Sequence, residues 1–205
     1  MGAGSTEMIA WRPLQWMVDA FFGAGMTPPR AIVEHIVPIR LGPLVLEVMI
    51  EEMRVGAGEV GGNNRGPDLD RYRRGGSGGA WCAALISYAY EVVCDRHGMQ
   101  MPFARSRGAK RLFARIAAAG EIVPLVISGP AADISIPEPG DTVAWHRGRS
   151  GGRWNWTGHI GIVSRVSVGA GRYWSIEGNV GPYPARVREY RHDLIDDRRV
   201  GFARI

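Results

Sequence analysis

Residues 75–96 read GGSGGAWCAALISYAYEVVCDR, a glycine-rich segment that runs directly into an apolar one. The apolar spacing predicts a helix from Ala80 to about Arg96, with Cys82 in its first turn. The leading N–H groups of a helix lack partners within the helix, and the helix dipole adds partial positive charge there. Because both effects stabilise a thiolate, Cys82 is a candidate nucleophile.

The only other cysteine, Cys94, lies in the same predicted helix. At a rise of about 1.5 Å per residue the two Cα atoms would be about 18 Å apart. A disulfide needs Cα atoms within about 7 Å of each other. The sequence therefore predicts that the two cysteines do not pair within the chain, and that Cys94 is a small core residue.

Length and composition indicate a globular chain without membrane spans. With 205 residues, 45% of them apolar, the chain is long enough for one medium domain, alone or with a small appendage. Its apolar runs are interrupted by charge or proline, which predicts no transmembrane segment. No signal peptide is visible at the N-terminus, and the sequence leaves both localisation and oligomeric state open.

The net charge of +5 favours polyanionic partners, either nucleic acid or an anionic cell wall. The most basic segment spans residues 105–115, where apolar residues interleave with the cations at helical spacing. This pattern is typical of the solvated face of an amphipathic helix. Because no nucleic-acid-binding motif accompanies it, we expect no nucleic acid partner.

The order of the predicted elements favours an α+β fold, in which helices precede an antiparallel sheet. Residues 1–43 are predicted to form an N-terminal helical extension, and residues 44–205 the main domain. A helix is expected over 44–54 after Pro43, a short one from Pro67, and another near 108–119. Strands are predicted at 141–146, 158–163, 173–177, 185–190 and 200–205.

His159 is the best candidate for a base that activates Cys82. It stands at the head of the strand 158–163, and the next predicted strand ends in Glu177, with Asn179 just beyond. If these strands pair antiparallel, the end of one lies beside the start of the other. Glu177 or Asn179 would then fix the second ring nitrogen, as in a catalytic triad. The alternative is a buried structural histidine, with the acid and the amide in a turn.

The remaining histidines are weaker candidates. His97 ends the cysteine helix, far from Cys82, and His35 lies in an apolar helical segment. His192 falls in a charged segment and is predicted to be exposed. His146 ends a strand before a flexible loop and is a minor candidate for the site.

Four short motifs resemble the CHAP family, the cysteine, histidine-dependent amidohydrolases/peptidases. They are GAWCAA at 79–84, PGD at 139–141, GHIGIV at 158–163 and EGN at 177–179. Glu59, the run 63–67 and Tyr72 also resemble the segment before the cysteine in bacterial and phage members. The resemblance covers roughly residues 44–180. It implies a papain-like (CHAP/NlpC-type) fold that cleaves amide bonds of peptidoglycan, without cofactor or metal.

The same resemblance implies roles for individual residues. Cys82 is then the nucleophile, His159 the base, Glu177 the orienting residue and Asn179 a further polar member. The substrate-binding candidates are Trp81, Trp154, Trp156, Asn64 and Tyr72. A thioester would form on Cys82, whose backbone N–H is the natural oxyanion donor. A second donor from the 59–72 loop is not assigned.

Several alternatives stay open at this point. The chain resembles a bacterial or phage wall hydrolase, either an amidase or an endopeptidase. A cysteine protease or transferase of the same fold, acting on a non-wall amide, is the first alternative. A catalytically silent wall-binding or interaction module is the second. Access to the wall would require lysis, a phage particle or a dedicated secretion route.

Overall fold

The computed structural model describes residues 39–76, 78–125 and 136–205. Within these ranges the chain forms four helices and eight strands. The helices are α1 (Leu41–Arg54), α2 (Pro67–Arg73), α3 (Cys82–Arg96) and α4 (Ala109–Ala119). The strands are β1 (Glu121–Val123), β2 (Thr142–His146), β3 (Arg149–Ser150), β4 (Arg153–Trp154), β5 (Gly158–Ser167), β6 (Arg172–Glu177), β7 (Arg188–Asp193) and β8 (Arg199–Arg204).

The predicted helices are present, with small differences at their starts. Helix α1 begins at Leu41, before Pro43, because a proline in the first turn of a helix costs no hydrogen bond. Helix α3 begins at Cys82 rather than Ala80, with Trp81 as its N-cap residue. Most of the predicted 1–43 extension lies outside the described residues, so the extension stays a prediction.

Six strands form one antiparallel sheet in the order β1-β8-β2-β5-β6-β7, and β3 pairs with β4 in a separate hairpin. The α+β class with an antiparallel sheet is therefore confirmed, whereas the papain-like arrangement stays a prediction. The hairpin and β1 were not predicted, because strands of two or three residues carry too little alternation to be recognised.

The strand predicted over 185–190 is shifted along the chain to β7. The backbone before it is engaged elsewhere, since the N–H of Val187 donates to the carbonyl of Ala57 at 2.9 Å. Gly58 and Arg186 form an isolated antiparallel bridge. Residues 185–187 thus pair with the segment after α1 instead of with β6.

The helices cover one face of the sheet, and this packing positions the start of α3. Helix α3 packs against β5, and α4 packs against β2, β5 and β8. The main core lies between these layers and includes Val45, Met49, Leu85, Ile86, Leu112, Ile160 and Ile162. A second cluster covers the opposite face with Val143, Trp145, Val163, Tyr173 and Phe202. In the described part of the chain, every helix is too short or too polar to cross a membrane.

Candidate active site

Cys82 is the first residue of α3, and no side chain caps this helix end. The unpaired backbone N–H groups of the first turn are therefore available to a negative charge at the thiol. The side chain is buried, with 3% of the residue exposed. Burial alone would raise the pKa of the thiol. Interaction with His159, the charge of Arg147 and the N–H of Ala83 outweigh burial and lower that pKa.

His159 begins the buried part of β5 and lies opposite Trp145 of β2. The two rings stack, with centroids 5.6 Å apart. Nε2 of His159 lies 2.7 Å from Oε2 of Glu177, which leaves Nδ1 as the buried nitrogen without a hydrogen-bond partner. Burial lowers the pKa of the imidazole, but interactions with Cys82 and Glu177 outweigh it and raise that pKa. Nδ1 is therefore the nitrogen available to the thiol.

Glu177 ends β6 and is 2% exposed. Its Oε2 binds His159, while its Oε1 accepts hydrogen bonds from Ser175 Oγ at 2.6 Å and from Nε2 of His192 at 2.6 Å. Burial favours the neutral acid, but the two imidazoles outweigh it and lower the pKa of the carboxyl to about 2. At neutral pH Glu177 is therefore ionised, and its carboxylate holds the imidazole of His159 in place.

The prediction that His192 is exposed is wrong. His192 lies opposite Tyr173 in the β6–β7 pair, and its ring stacks on Tyr173 at 5.2 Å and lies 4.7 Å from Trp145. The adjacent Arg191 and Asp193 alternate to the opposite face of β7. The alternation along β7 was the signal that could have placed His192 on that face, had the register of this strand been known.

The structure brings Glu177, rather than Asn179, to the imidazole. Asn179 lies in the turn after β6 with a φ of 64°, in the left-handed region. Its backbone carbonyl accepts a hydrogen bond from Nη2 of Arg147 at 3.2 Å. Of the two orienting residues that the sequence left open, the acid is the one in contact with His159.

Trp81 and Tyr72, two of the predicted substrate-binding residues, are fully buried. Their rings stack with centroids 6.0 Å apart. Trp81 also lies against Gly178, where a side chain would overlap its ring. In this structure both aromatic side chains therefore fix the start of α3 against the turn after β6, and neither offers surface to a substrate.

Glu59, a buried acid, connects the segments around the start of α3. The sequence did not indicate it as a site residue. Glu59 is 1% exposed and accepts hydrogen bonds from three segments. Its Oε1 accepts from Nε1 of Trp81 at 3.2 Å and from the backbone N–H of Asn64 at 2.9 Å, and its Oε2 accepts from the N–H of Ala185 at 2.9 Å. Asn64, predicted to bind substrate, is half-buried with a φ of 56°, and its side-chain amide donates to Asn63 at 3.0 Å.

The two tryptophans of the loop before His159 have different surroundings. Trp154 stacks on His146, with centroids 4.8 Å apart and an interplanar angle of 9°, and the guanidinium carbon of Arg149 lies over the ring of Trp154 at 4.0 Å from its centroid. Trp156 is 84% exposed. Trp156 is therefore the predicted aromatic residue that presents its ring to solvent beside the strand of His159.

A cysteine at a helix start thus interacts electrostatically with a histidine, and that histidine contacts a buried ionised acid. Opposite shifts of the pKa values of Cys82 and His159 favour a thiolate–imidazolium pair. Such a pair can attack a carbonyl carbon and return a proton to a leaving group. Within the described ranges, no group of three or more His, Cys, Asp or Glu side chains is arranged to hold a metal ion. A surface depression of about 560 Å³ lies elsewhere, next to Met53 and residues 186–189.

Comparison with known protein families matches residues 74–179 to the CHAP domain. The matched range contains Cys82, His159, Glu177 and Asn179, and it excludes Glu59 and His192. The comparisons with curated proteins and with solved structures find no match.

Proposed function

The chain belongs to the CHAP domain family, whose members are cysteine- and histidine-dependent amidohydrolases or peptidases, and we propose that it hydrolyses an amide bond of the peptidoglycan stem peptide. The observation that carries the proposal is the contact between Nε2 of His159 and Glu177 at 2.7 Å, with Nδ1 left for the thiol of Cys82. The papain-like arrangement of helix and sheet is part of the same proposal.

The reaction begins with the thiolate of Cys82, which forms when the thiol proton passes to Nδ1 of His159. The sulfur attacks the carbonyl carbon of the stem-peptide amide, and the carbonyl oxygen becomes an oxyanion. The backbone N–H groups at the start of α3 stabilise that charge, because they have no acceptors within the helix.

The intermediate collapses when His159 gives its proton to the leaving amine, and a thioester remains on Cys82. Water, deprotonated by His159, then attacks the thioester and releases the acid. Throughout both steps Glu177 holds Nε2 and stabilises the imidazolium. The hydrogen bond from Arg147 to the carbonyl of Asn179 supports a position of the turn after β6 next to the catalytic residues.

The test is digestion of purified cell walls by the wild-type protein and by Cys82→Ala. We expect Cys82→Ala to lose activity with its fold intact, as measured by circular dichroism. The matched control is Cys94→Ala. This change removes the other buried thiol of α3, which lies far from the helix start, and should retain activity. Full activity of Cys82→Ala would contradict the proposal.

Mass spectrometry of the released fragments identifies the bond. New termini at lactyl and L-alanine groups indicate an amidase, and new termini within the peptide indicate an endopeptidase. Absence of both kinds of terminus, with a soluble and folded wild-type protein, would contradict peptidoglycan as the substrate.

A further inference from the structure

Arg147 lies beside the candidate active site at the end of β2. The preceding residue, His146, pairs with Gly158, and the N–H of Arg147 donates to the carbonyl of Thr157 at 3.2 Å. Its guanidinium reaches the turn after β6, where Nη2 donates to the carbonyl of Asn179 at 3.2 Å. Through its backbone and its side chain, Arg147 therefore contacts the two segments next to His159 and Glu177.

Within the described part of the chain, the positive charge of Arg147 has no acidic partner. Among residues 39–76, 78–125 and 136–205, no carboxylate lies within ion-pair distance of its guanidinium, although many of the surface arginines have such a partner. The side chain is exposed, and the charge is close enough to contribute to the lowered pKa of Cys82. A guanidinium has five N–H donors, and the carbonyl of Asn179 uses one of them.

The β3–β4 hairpin, which follows Arg147, carries the further cations Arg149 and Arg153 and is held in place by Lys110 of α4. Nζ of Lys110 donates to the carbonyl of Asn155 at 2.6 Å and contacts Nδ1 of His146 at 3.0 Å. Arg149 is paired with Asp197 at 3.4 Å. Lys110 of α4 thus holds the residue after β4, and the N–H of Asn155 donates to the carbonyl of Gly148 at 3.0 Å, so backbone contacts across the base of the hairpin position the adjacent Arg147.

We propose that Arg147 binds a carboxylate of the substrate next to the amide that Cys82 attacks, so that the enzyme selects acidic acyl peptides over their amidated forms. An arginine with unused donors is suited to this because its planar fork matches the two oxygens of a carboxylate. The neighbouring Trp156, 84% exposed, offers an apolar surface to the uncharged part of such a substrate. The choice of substrate rests on the proposed function, whereas the attraction of anions to Cys82 does not.

The first test compares two alkylating reagents of similar size, the anion iodoacetate and the neutral iodoacetamide. In both reactions the sulfur of Cys82 forms a bond to carbon, the carbon–iodine bond breaks and iodide leaves. Both rates depend on the thiolate fraction, so their ratio cancels the effect of Arg147 on the pKa of the thiol. The ratio then reports how strongly the site attracts a carboxylate.

We expect Arg147→Gln to lower the ratio by about fivefold at low salt, which is the change expected when one unit charge that would lie about 4 Å from the carboxylate of the reagent is removed in water. Arg147→Lys should keep most of the ratio. The matched control is Arg111→Gln, which removes an exposed cation from α4 with the same change in net charge. All proteins carry Cys94→Ala so that alkylation is measured at Cys82. An unchanged ratio in Arg147→Gln would overturn the proposal.

The second test uses two matched stem peptides that differ in one group, a free carboxylate or a carboxamide beside the cleaved bond. The wild-type protein should have the lower KM for the acid, and Arg147→Gln should lose this preference by raising the KM for the acid alone. An equal effect on both substrates would also overturn the proposal. If the wild-type protein cleaves neither, the proposed hydrolase function fails, while the alkylation ratio still decides whether Arg147 attracts a carboxylate.

Discussion

Nε2 of His192 lies 2.6 Å from Oε1 of Glu177, the carboxylate whose other oxygen holds His159. One buried acid thus connects two imidazoles, and the ring of Trp145 lies against both of them. A buried carboxylate needs donors on both oxygens to remain ionised. His192 and Ser175 supply them on the side away from His159, so His192 acts on the candidate active site through Glu177.

We therefore expect His192→Ala to weaken the site without removing any reacting atom. The carboxyl loses one of the two imidazoles that lower its pKa, so it becomes protonated at a higher pH as the solution is acidified. The acidic limb of the kcat/KM profile for wall digestion should shift to higher pH, and kcat should fall more than KM changes.

A matched variant separates this effect from simple damage to the fold. His192→Gln keeps an N–H donor for Glu177 and should recover part of kcat. A pH profile of His192→Ala that superimposes on the wild-type profile would show that His192 does not act through the acid.

The two cysteines should react with iodoacetamide at different pH. The pKa of Cys82 is lowered because His159, Arg147 and the helix start outweigh burial, whereas burial raises the pKa of Cys94. Thiolate, the reactive form, persists above the pKa, so labelling of Cys82 should rise well below the ordinary thiol value of about 8.5. Peptide mass spectrometry after timed labelling between pH 5 and about 9 measures both sites in one sample.

The control is His159→Ala, which removes the main cause of the lowered pKa. Its Cys82 labelling curve should move to higher pH, while that of Cys94 should stay in place. Identical pH dependences for the two cysteines in the wild-type protein would contradict an activated thiol at Cys82.

The candidate triad was predictable because its residues sit at element boundaries that leave local marks in the sequence. A glycine-rich segment before an apolar run places Cys82 at a helix start, and the alternation after Gly158 places His159 at a strand start. The antiparallel order of β5 and β6 then leaves Glu177 or Asn179 as the orienting residue, and only the contact with His159 in the structure selects Glu177. Local periodicity was sufficient for Cys82 and His159, whereas strand order left two candidates for the third position.

The supporting residues were not predictable from the same signals. Glu59 contacts Ala185 across most of the chain, and a single acid in a glycine-rich segment does not indicate its distant donors. The position of His192 depends on the register of β7. The bounds of β7 differ from those of the predicted strand because residues 185–187 pair with the segment after α1. In both cases long-range pairing decided the role of the side chain, and local pattern carries no information on it.

Glu59→Gln should destabilise the protein although it changes few atoms. One of the two carboxylate oxygens becomes an NH₂ group, so at least one of the N–H donors of Trp81, Asn64 or Ala185 faces another donor. A buried donor without an acceptor costs about 1–3 kcal/mol. We expect a loss of this size in the free energy of unfolding, measured with urea.

The control is Glu47→Gln on the exposed face of α1, which makes the same chemical change in water and should leave the stability unchanged. Iodoacetamide labelling of Cys82 should also slow in Glu59→Gln, because a weakened contact with Trp81 would displace the residue that directly precedes Cys82. Equal unfolding free energies for the two variants would contradict a structural role for the buried acid.

Gly178→Ala tests whether Trp81 fixes the start of α3 by contact with the turn after β6. A methyl group at Gly178 would overlap the indole of Trp81 and lie 2.8 Å from Cδ2 of Leu85, and both of these side chains are fully buried. A rigid buried ring cannot move aside at low cost, so overpacking should destabilise the protein by about 1–3 kcal/mol. Displacement of the indole should also lower kcat for wall digestion, since Cys82 directly follows Trp81 in the chain.

The matched control is Gly169→Ala, where a methyl group meets no atom within 4 Å. Its free energy of unfolding should be unchanged or slightly higher, because alanine restricts the unfolded chain. Equal stability and equal kcat in the two alanine variants would show that the contact between Gly178 and Trp81 does not position the nucleophile.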